Sequence, residues 1–243
     1  MLRRDVSDEE FEALSKTKKK VYIAELIIRD SGAIPVDKED SPIAVIMAGL
    51  PGAGKTEFLD TLTDLVQASG GSNPFVRIDL DQIVTVYPGY TPQTYARFRS
   101  NANDALARCI DKGRNGRYNL MIDGTFAGQS GSSVKNVEKL LESGYIVYLY
   151  FMHDKAQTAW SFTKSRELET NRGIDSAGFV EASKNIPKNV KAAKDRFQGH
   201  PMFHLYLVLQ KELRDKDYKI ISDLNDIDSI LDEGYNIDKL KEI

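Results

Sequence analysis

Apolar residues recur along this chain in two distinct periods. Short, nearly continuous apolar runs at 43–47, 75–78, 118–122 and 145–152 have the length expected of strands buried on both faces. A weaker run at 218–221 adds a fifth candidate. Between the runs the period changes to that of a helix: Leu59, Leu62 and Val66 mark one helix face, and Val134, Val137, Leu140 and Leu141 mark another. Breakers stand where the chain must turn, at Gly70-Gly71, at Gly113 with Gly116, and at Gly144. Strand and helix signals in alternation predict an α/β fold of three layers, a mostly parallel sheet with helices on both faces. The first forty residues break the pattern. They read as a charged helix carrying Phe11, Leu14, Val21 and Tyr22, followed by a linker through Pro35 and Pro42. The expected organisation is therefore a helical extension with linker over residues 1–40 and an α/β domain over 41–243.

Whole-chain properties narrow the function classes. A length of 243 residues suits one α/β core with additions. A net charge of -3 argues against a broad nucleic-acid-binding surface, while leaving room for a local basic pocket. The single cysteine, Cys109, excludes an internal disulfide framework and a thiolate metal cluster within one chain. It stands at helical spacing with Phe98, Ala102, Ala105 and Leu106, which predicts a core position rather than a reactive thiol. Neither a signal peptide nor a membrane anchor is expected, since the N-terminus is charged and no apolar run approaches spanning length. A cytoplasmic protein follows. Lys16 and Lys18 to Lys20 read as a solvated helix face.

The most specific chemical signal is Gly49-Leu50-Pro51-Gly52-Ala53-Gly54-Lys55-Thr56, a complete phosphate-loop pattern between a buried-type strand and an amphipathic helix. Its glycines let backbone N–H groups turn inward onto phosphates, Lys55 can bridge the β- and γ-phosphates, and the Thr56 hydroxyl can ligate magnesium. Residues Gly49, Pro51, Gly52, Ala53, Gly54, Lys55 and Thr56 are thus the expected ATP site, with Mg2+ as companion, on a P-loop NTPase or kinase fold. Ligands of open parallel sheets collect at the carboxyl ends of the strands. There the chain places Asp79 and Asp81, then Asp123 ahead of Gly124 and Thr125, and further on Arg166 and Arg172. Phosphoryl transfer is accelerated by positioning and by cations around the moving group, and a carboxylate can orient an acceptor hydroxyl and take its proton late. Asp79 or Asp81 suits the second task, although such a pair also serves as a helix cap. Asp123 suits either a contact to magnesium through water or a contact to substrate. Each arginine alone also suits surface ion pairing with Glu169 or Asp175.

Taken together these segments resemble the zeta toxin kinases. The likeness spans roughly residues 43–189 and rests on the loop at 49–56, on Arg77-Ile78-Asp79-Leu80-Asp81 with Tyr87-Pro88-Gly89-Tyr90, and on Asn119-Leu120-Met121-Ile122-Asp123-Gly124-Thr125. It continues through Arg166-Glu167-Leu168-Glu169-Thr170 and Arg172 to Ser183-Lys184-Asn185-Ile186. The resemblance implies ATP- and Mg2+-dependent phosphorylation of a nucleotide sugar, UDP-N-acetylglucosamine at its 3'-hydroxyl. It further implies Asp81 as general base and Lys55, Arg166 and Arg172 on the phosphates; beside it, the residues themselves give Asp123 and Thr125 as the expected substrate contacts and Thr56 with Asp123 as the expected metal contacts. An antitoxin protein is a partner the resemblance admits. Two departures, Asp123 where the compared member has glutamate and a shorter segment between the arginines, bear on the acceptor side. Two other readings stay open: a polynucleotide or nucleoside kinase, and an ATP-dependent switch or binding module with no small-molecule acceptor.

Overall fold

The apolar runs fold as strands, each within a residue or two of its expected place. In the computed structural model, which describes residues 2, 4–71, 73–170, 174–210 and 217–236 (Ser130, Glu169 and Thr170 by backbone alone), the strands are β1 (Ile43–Ala48), β2 (Val76–Asp79), β3 (Leu120–Asp123), β4 (Ile146–His153), β5 (Phe203–Gln210) and β6 (Tyr218–Ile221). β5 corrects the sequence reading, which placed no strand there. Its Phe203, Leu205 and Leu207 are buried and alternate with half-buried His204 and Tyr206, the period-two pattern of a strand. The six strands lie in the order β2-β3-β1-β4-β5-β6. β2–β3 and β4–β5 pair parallel, and β5–β6 antiparallel, so the sheet is mostly parallel as expected.

The chain divides into two compact units, residues 1–44 with 71–123 and residues 45–70 with 124–243. The first holds helices α1 (Asp8–Ala13) and α2 (Lys16–Ser31) beside β2 and β3. Ser7 and Glu10 close a reciprocal capping box on α1. Ser15 caps α2, and Gly32 ends it in the left-handed conformation. Phe11 is fully buried against Tyr22 and Tyr87, with ring centroids 5.8 Å away in both cases. Ile23, Ala24, Leu26 and Ile27 form the buried stripe of α2. The segment after α2 is tied down: Arg117 donates to the carbonyls of Val36, Asp37 and Asp40, and Ile43 N donates to Asn119 Oδ1 at 2.9 Å.

Numbering continues in the second unit with α3 (Lys55–Ala68), and in the first with α4 (Leu80–Val84) and α5 (Tyr95–Asn115). On α5, Phe98, Ala102, Ala105 and Cys109 are buried as their spacing predicts, and burial pushes the Cys109 thiol up to about 12. The second unit adds α6 (Ser132–Glu142), α7 (Ala156–Thr170), α8 (Ser176–Phe197) and α9 (Leu224–Glu233). The expected face of α6, Val134, Val137, Leu140 and Leu141, is buried throughout. On α3 the buried apolar face consists of Phe58 and Leu59, with Leu62 and Val66 half-buried. Among the described residues no helix is long and apolar enough to cross a membrane.

Candidate functional site

In the second unit the buried end of β1 delivers the chain to Gly49, whose N–H donates to Thr125 O at 3.1 Å. The turn that follows requires backbone conformations that side chains resist, with φ 80° at Gly52 and 81° at Gly54. Space is also closed at Gly52, where a Cβ would stand 2.2 Å from Ala159 O and 2.7 Å from Thr163 Oγ1. The loop therefore rests directly on α7. Thr163 is itself fixed, buried and donating to Ala159 O at 2.9 Å. On the other side, a Cβ on Gly49 would meet Met152 O at 2.5 Å, so the carboxyl end of β4 also bounds the loop.

Gly54 starts α3 without a side-chain cap, and the first N–H groups of a helix favour an anion. Lys55 is buried and folds back across the loop, its Nζ donating to Leu50 O at 2.7 Å. Thr56 stands exposed in the first turn of α3. Arg166 lies on α7 one turn beyond Thr163, hence on the helix face that meets Gly52, with its side chain exposed. Arg172 lies outside the described residues.

Thr125 begins a loop whose shape the sequence did not disclose. Thr125 Oγ1 accepts from Ala127 N at 3.3 Å, and Phe126 takes the unusual φ of 61°. Asn189, buried on α8, holds this turn by donating from Nδ2 to Phe126 O and Gly128 O, both at 2.9 Å. The sequence reading missed that anchor. An amide on the same buried stripe as Ile186, Val190 and Ala193 is the signal that would have found it, because a buried polar side chain requires partners.

In the first unit the acidic strand ends meet. Asp79 and Asp123 are register partners at the carboxyl ends of β2 and β3. Asp123 is buried, and its Oδ2 accepts from Arg77 Nη2 at 3.0 Å. Arg77 and Asp79 occupy alternate positions of β2 and so share a face. Asp79 caps α4, its Oδ1 accepting from Asp81 N at 2.8 Å. Burial, reinforced by the negative charges of Asp123 and Asp81, pushes the Asp79 carboxyl up to about 6. Asp81 follows, half-buried in the first turn of α4. Among the described residues no group of three or more His, Cys, Asp or Glu side chains is arranged to hold a metal ion. Magnesium carried by a nucleotide needs less, one or two protein oxygens beside those of the phosphates, and the Thr56 hydroxyl and the Asp123 carboxylate are donors of that kind. Asp175 caps α8, accepting from Gly178 N at 2.6 Å.

The family model described as Zeta toxin matches residues 29–220, well over half of the chain. No curated protein sequence matches. Among solved structures, one from the PezAT chromosomal toxin–antitoxin system of the human pathogen Streptococcus pneumoniae is similar with a TM-score of 0.62 and 20% identity, covering 96% of this chain and 89% of that one. A complex of AvrRxo1-ORF1 with AvrRxo1-ORF2 gives a TM-score of 0.60 at 13% identity, covering 86% of this chain and 72% of that one. The same pair solved with ATP gives 0.58 at 15% identity, covering 88% of this chain and 65% of that one. At these identities the likeness to solved structures speaks to the fold. The family match takes in the phosphate loop, both acidic strand ends and α7, and with it this chain belongs to the zeta toxin family, ATP-dependent phosphotransferases built on a phosphate loop.

Proposed function

We propose that the protein transfers the γ-phosphate of ATP to a hydroxyl of a nucleotide sugar, with the 3'-hydroxyl of UDP-N-acetylglucosamine as the first acceptor to test. Lys55 and the N–H groups of its loop hold the β- and γ-phosphates, and Arg166 and Arg172 place positive charge on the group in transfer. Thr56 and Asp123 would supply oxygens to magnesium, which when bound would neutralise charge on the phosphates. Thr125 and Asp123 border the acceptor. Asp81 orients the acceptor hydroxyl and takes its proton as the new bond forms. The observation that carries this assignment is the division of labour between neighbouring carboxylates. Asp79 is committed to capping α4, its Oδ1 accepting from Asp81 N, so the base role is assigned to Asp81.

The site of action is the cytoplasm, and an antitoxin protein is the expected macromolecular partner, by analogy with the toxin–antitoxin system of the structural relative. Incubation with γ-labelled ATP and UDP-N-acetylglucosamine, then with a metabolite extract, should yield one species heavier by a phosphate group in mass spectra. Asp81→Asn should retain ATP affinity and lose turnover by about 10²–10⁴-fold, the usual worth of a positioned base. Undiminished turnover in that variant refutes the role of Asp81. Phosphate release with no phosphorylated product from any extract would favour an ATP-hydrolysing switch instead.

A further inference from the structure

On the first unit, the N-terminal part of α2, the turn after α4 and the start of α5 line a cavity of about 360 Å³. Its cations come from two helices: Lys16, Lys19 and Lys20 from α2, and Arg97 from α5. Its floor is aromatic, with Tyr87 and Phe98 stacked at 5.7 Å and both almost wholly buried. The ion pairs here are unequal. Asp104 Oδ2 serves two ammonium groups, Lys16 at 2.9 Å and Lys20 at 3.0 Å. Lys19 has its own carboxylate in Glu12, at 2.6 Å. Arg97 lies 5.2 Å from the centre of the Phe98 ring and has no carboxylate partner among the described residues. Four cations against Glu12 and Asp104 leave an excess of two positive charges at one cavity, in a chain whose net charge is -3. Such a local reversal of sign concentrates anions. Lys19 and Lys20 are only 20% and 28% exposed, which places their charges at the cavity rather than sweeping through solvent.

We propose that this cavity binds an organic phosphate the size of a mononucleotide or a sugar phosphate. A dianionic phosphate matches the excess charge. The planar fork of Arg97 suits two phosphate oxygens, and Lys16 and Lys20 act as point charges that exchange part of their shared hold on Asp104 for the ligand. The ring of the ligand lies toward Tyr87 and Phe98. A volume of about 360 Å³ falls at the small end of ligand cavities, roughly 300–1,000 Å³. The site is separate in its residues from the phosphate loop and does not depend on which acceptor the enzyme phosphorylates.

The test is calorimetric titration of the full chain with its loop saturated by a non-hydrolysable ATP analogue and magnesium, using UMP, inorganic pyrophosphate and uridine as probes. UMP should bind at a site that the cavity variants below weaken, more tightly than pyrophosphate, and uridine should not bind there. Arg97→Gln, and separately Lys16→Ala with Lys20→Ala, should each weaken UMP by about tenfold, the worth of one charge-assisted phosphate contact. Lys18→Ala, on an exposed residue outside the cavity, should leave it unchanged. Raising the salt from about 50 to 200 mM should weaken binding severalfold, because the Debye length contracts. No heat beyond the loop, uridine binding as well as UMP, pyrophosphate binding without UMP, or equal affinity across the variants would each overturn the proposal. Lys16 is 69% exposed, so if Arg97→Gln fails to fold, the lysine pair decides the question.

Discussion

At Gly52 two independent constraints coincide, a φ of 80° and a carbonyl 2.2 Å from where a Cβ would stand. Gly52→Ala should therefore cost more than about 1 kcal/mol of stability and lower ATP affinity at least tenfold, since the loop can relieve the clash only by lifting off α7. Urea unfolding and calorimetric ATP titration measure the two effects, and an unchanged protein in both would contradict the contact. Asp79 offers a second residue-scale outcome, with a sign set by linkage. Its folded pKa of about 6 lies above the ordinary 3.8, so the folded state favours the protonated carboxyl. That contribution is full below about pH 4 and is lost as pH rises through about 6. Asp79→Asn keeps a capping oxygen without the charge. It should melt above the parent at pH 8, by several degrees at about 2–4 °C per kcal/mol, with the gap closing at pH 4 to 5. A gap independent of pH would show that Asp79 does not titrate there. The loop glycines were legible from the sequence because their requirement is local, a property of the backbone at each position. The cap on α4 was legible as an option only, since both Asp79 and Asp81 have the right chemistry and the helix start chooses between them.

Among the elements, α8 does more than cover the sheet. Asn189 satisfies two carbonyls of the turn at 126–128 and so holds Phe126 at a φ of 61°, a conformation that costs a residue of this kind about 1–3 kcal/mol. Asn189→Ala leaves Phe126 O and Gly128 O without that donor. It should destabilise the protein by about 1–3 kcal/mol and speed amide exchange at Ala127 and Gly128 ahead of global unfolding. Hydrogen exchange read by mass spectrometry tests this, and uniform protection across the turn would show that the amide is dispensable. The elements themselves were legible where one period dominates: β1 and β4 as apolar runs, α6 as a four-residue stripe. β5 carries a period-two signal that went unread, its intervening positions being aromatic His204 and Tyr206 rather than charged. α3 shows a different limit. The helical period was correct, yet packing buries Phe58 beside Tyr150 and Tyr218, at 5.2 and 5.1 Å, and leaves Leu65 60% exposed.

For the molecule as a whole, the N-terminal helices belong with the core of the first unit. Phe11, Ile23 and Ala24 are fully buried, and Leu26 and Ile27 nearly so. Removing residues 1–31 should therefore open that unit's interior. Cys109 reports on it directly, because burial holds its thiol up to about 12 in the intact chain, where almost no thiolate forms at pH 8. The intact protein should react slowly with a thiol reagent and the shortened one near the rate of an ordinary cysteine; equal rates would place Cys109 outside the protection of those helices. By itself the sequence determined the nucleotide loop, the alternation of strand and helix, and the acidic strand ends. Each is written in neighbouring residues, as a backbone conformation or a repeat of two or 3.6 positions. Only the tertiary structure decided that Asp123 pairs with Arg77 across 46 positions, that Asn189 shapes a turn 61 and 63 residues before it, and that lysines of α2 share a cavity with Arg97. Those outcomes depend on which distant side chains packing brings within a few ångströms, and no local period records that distance.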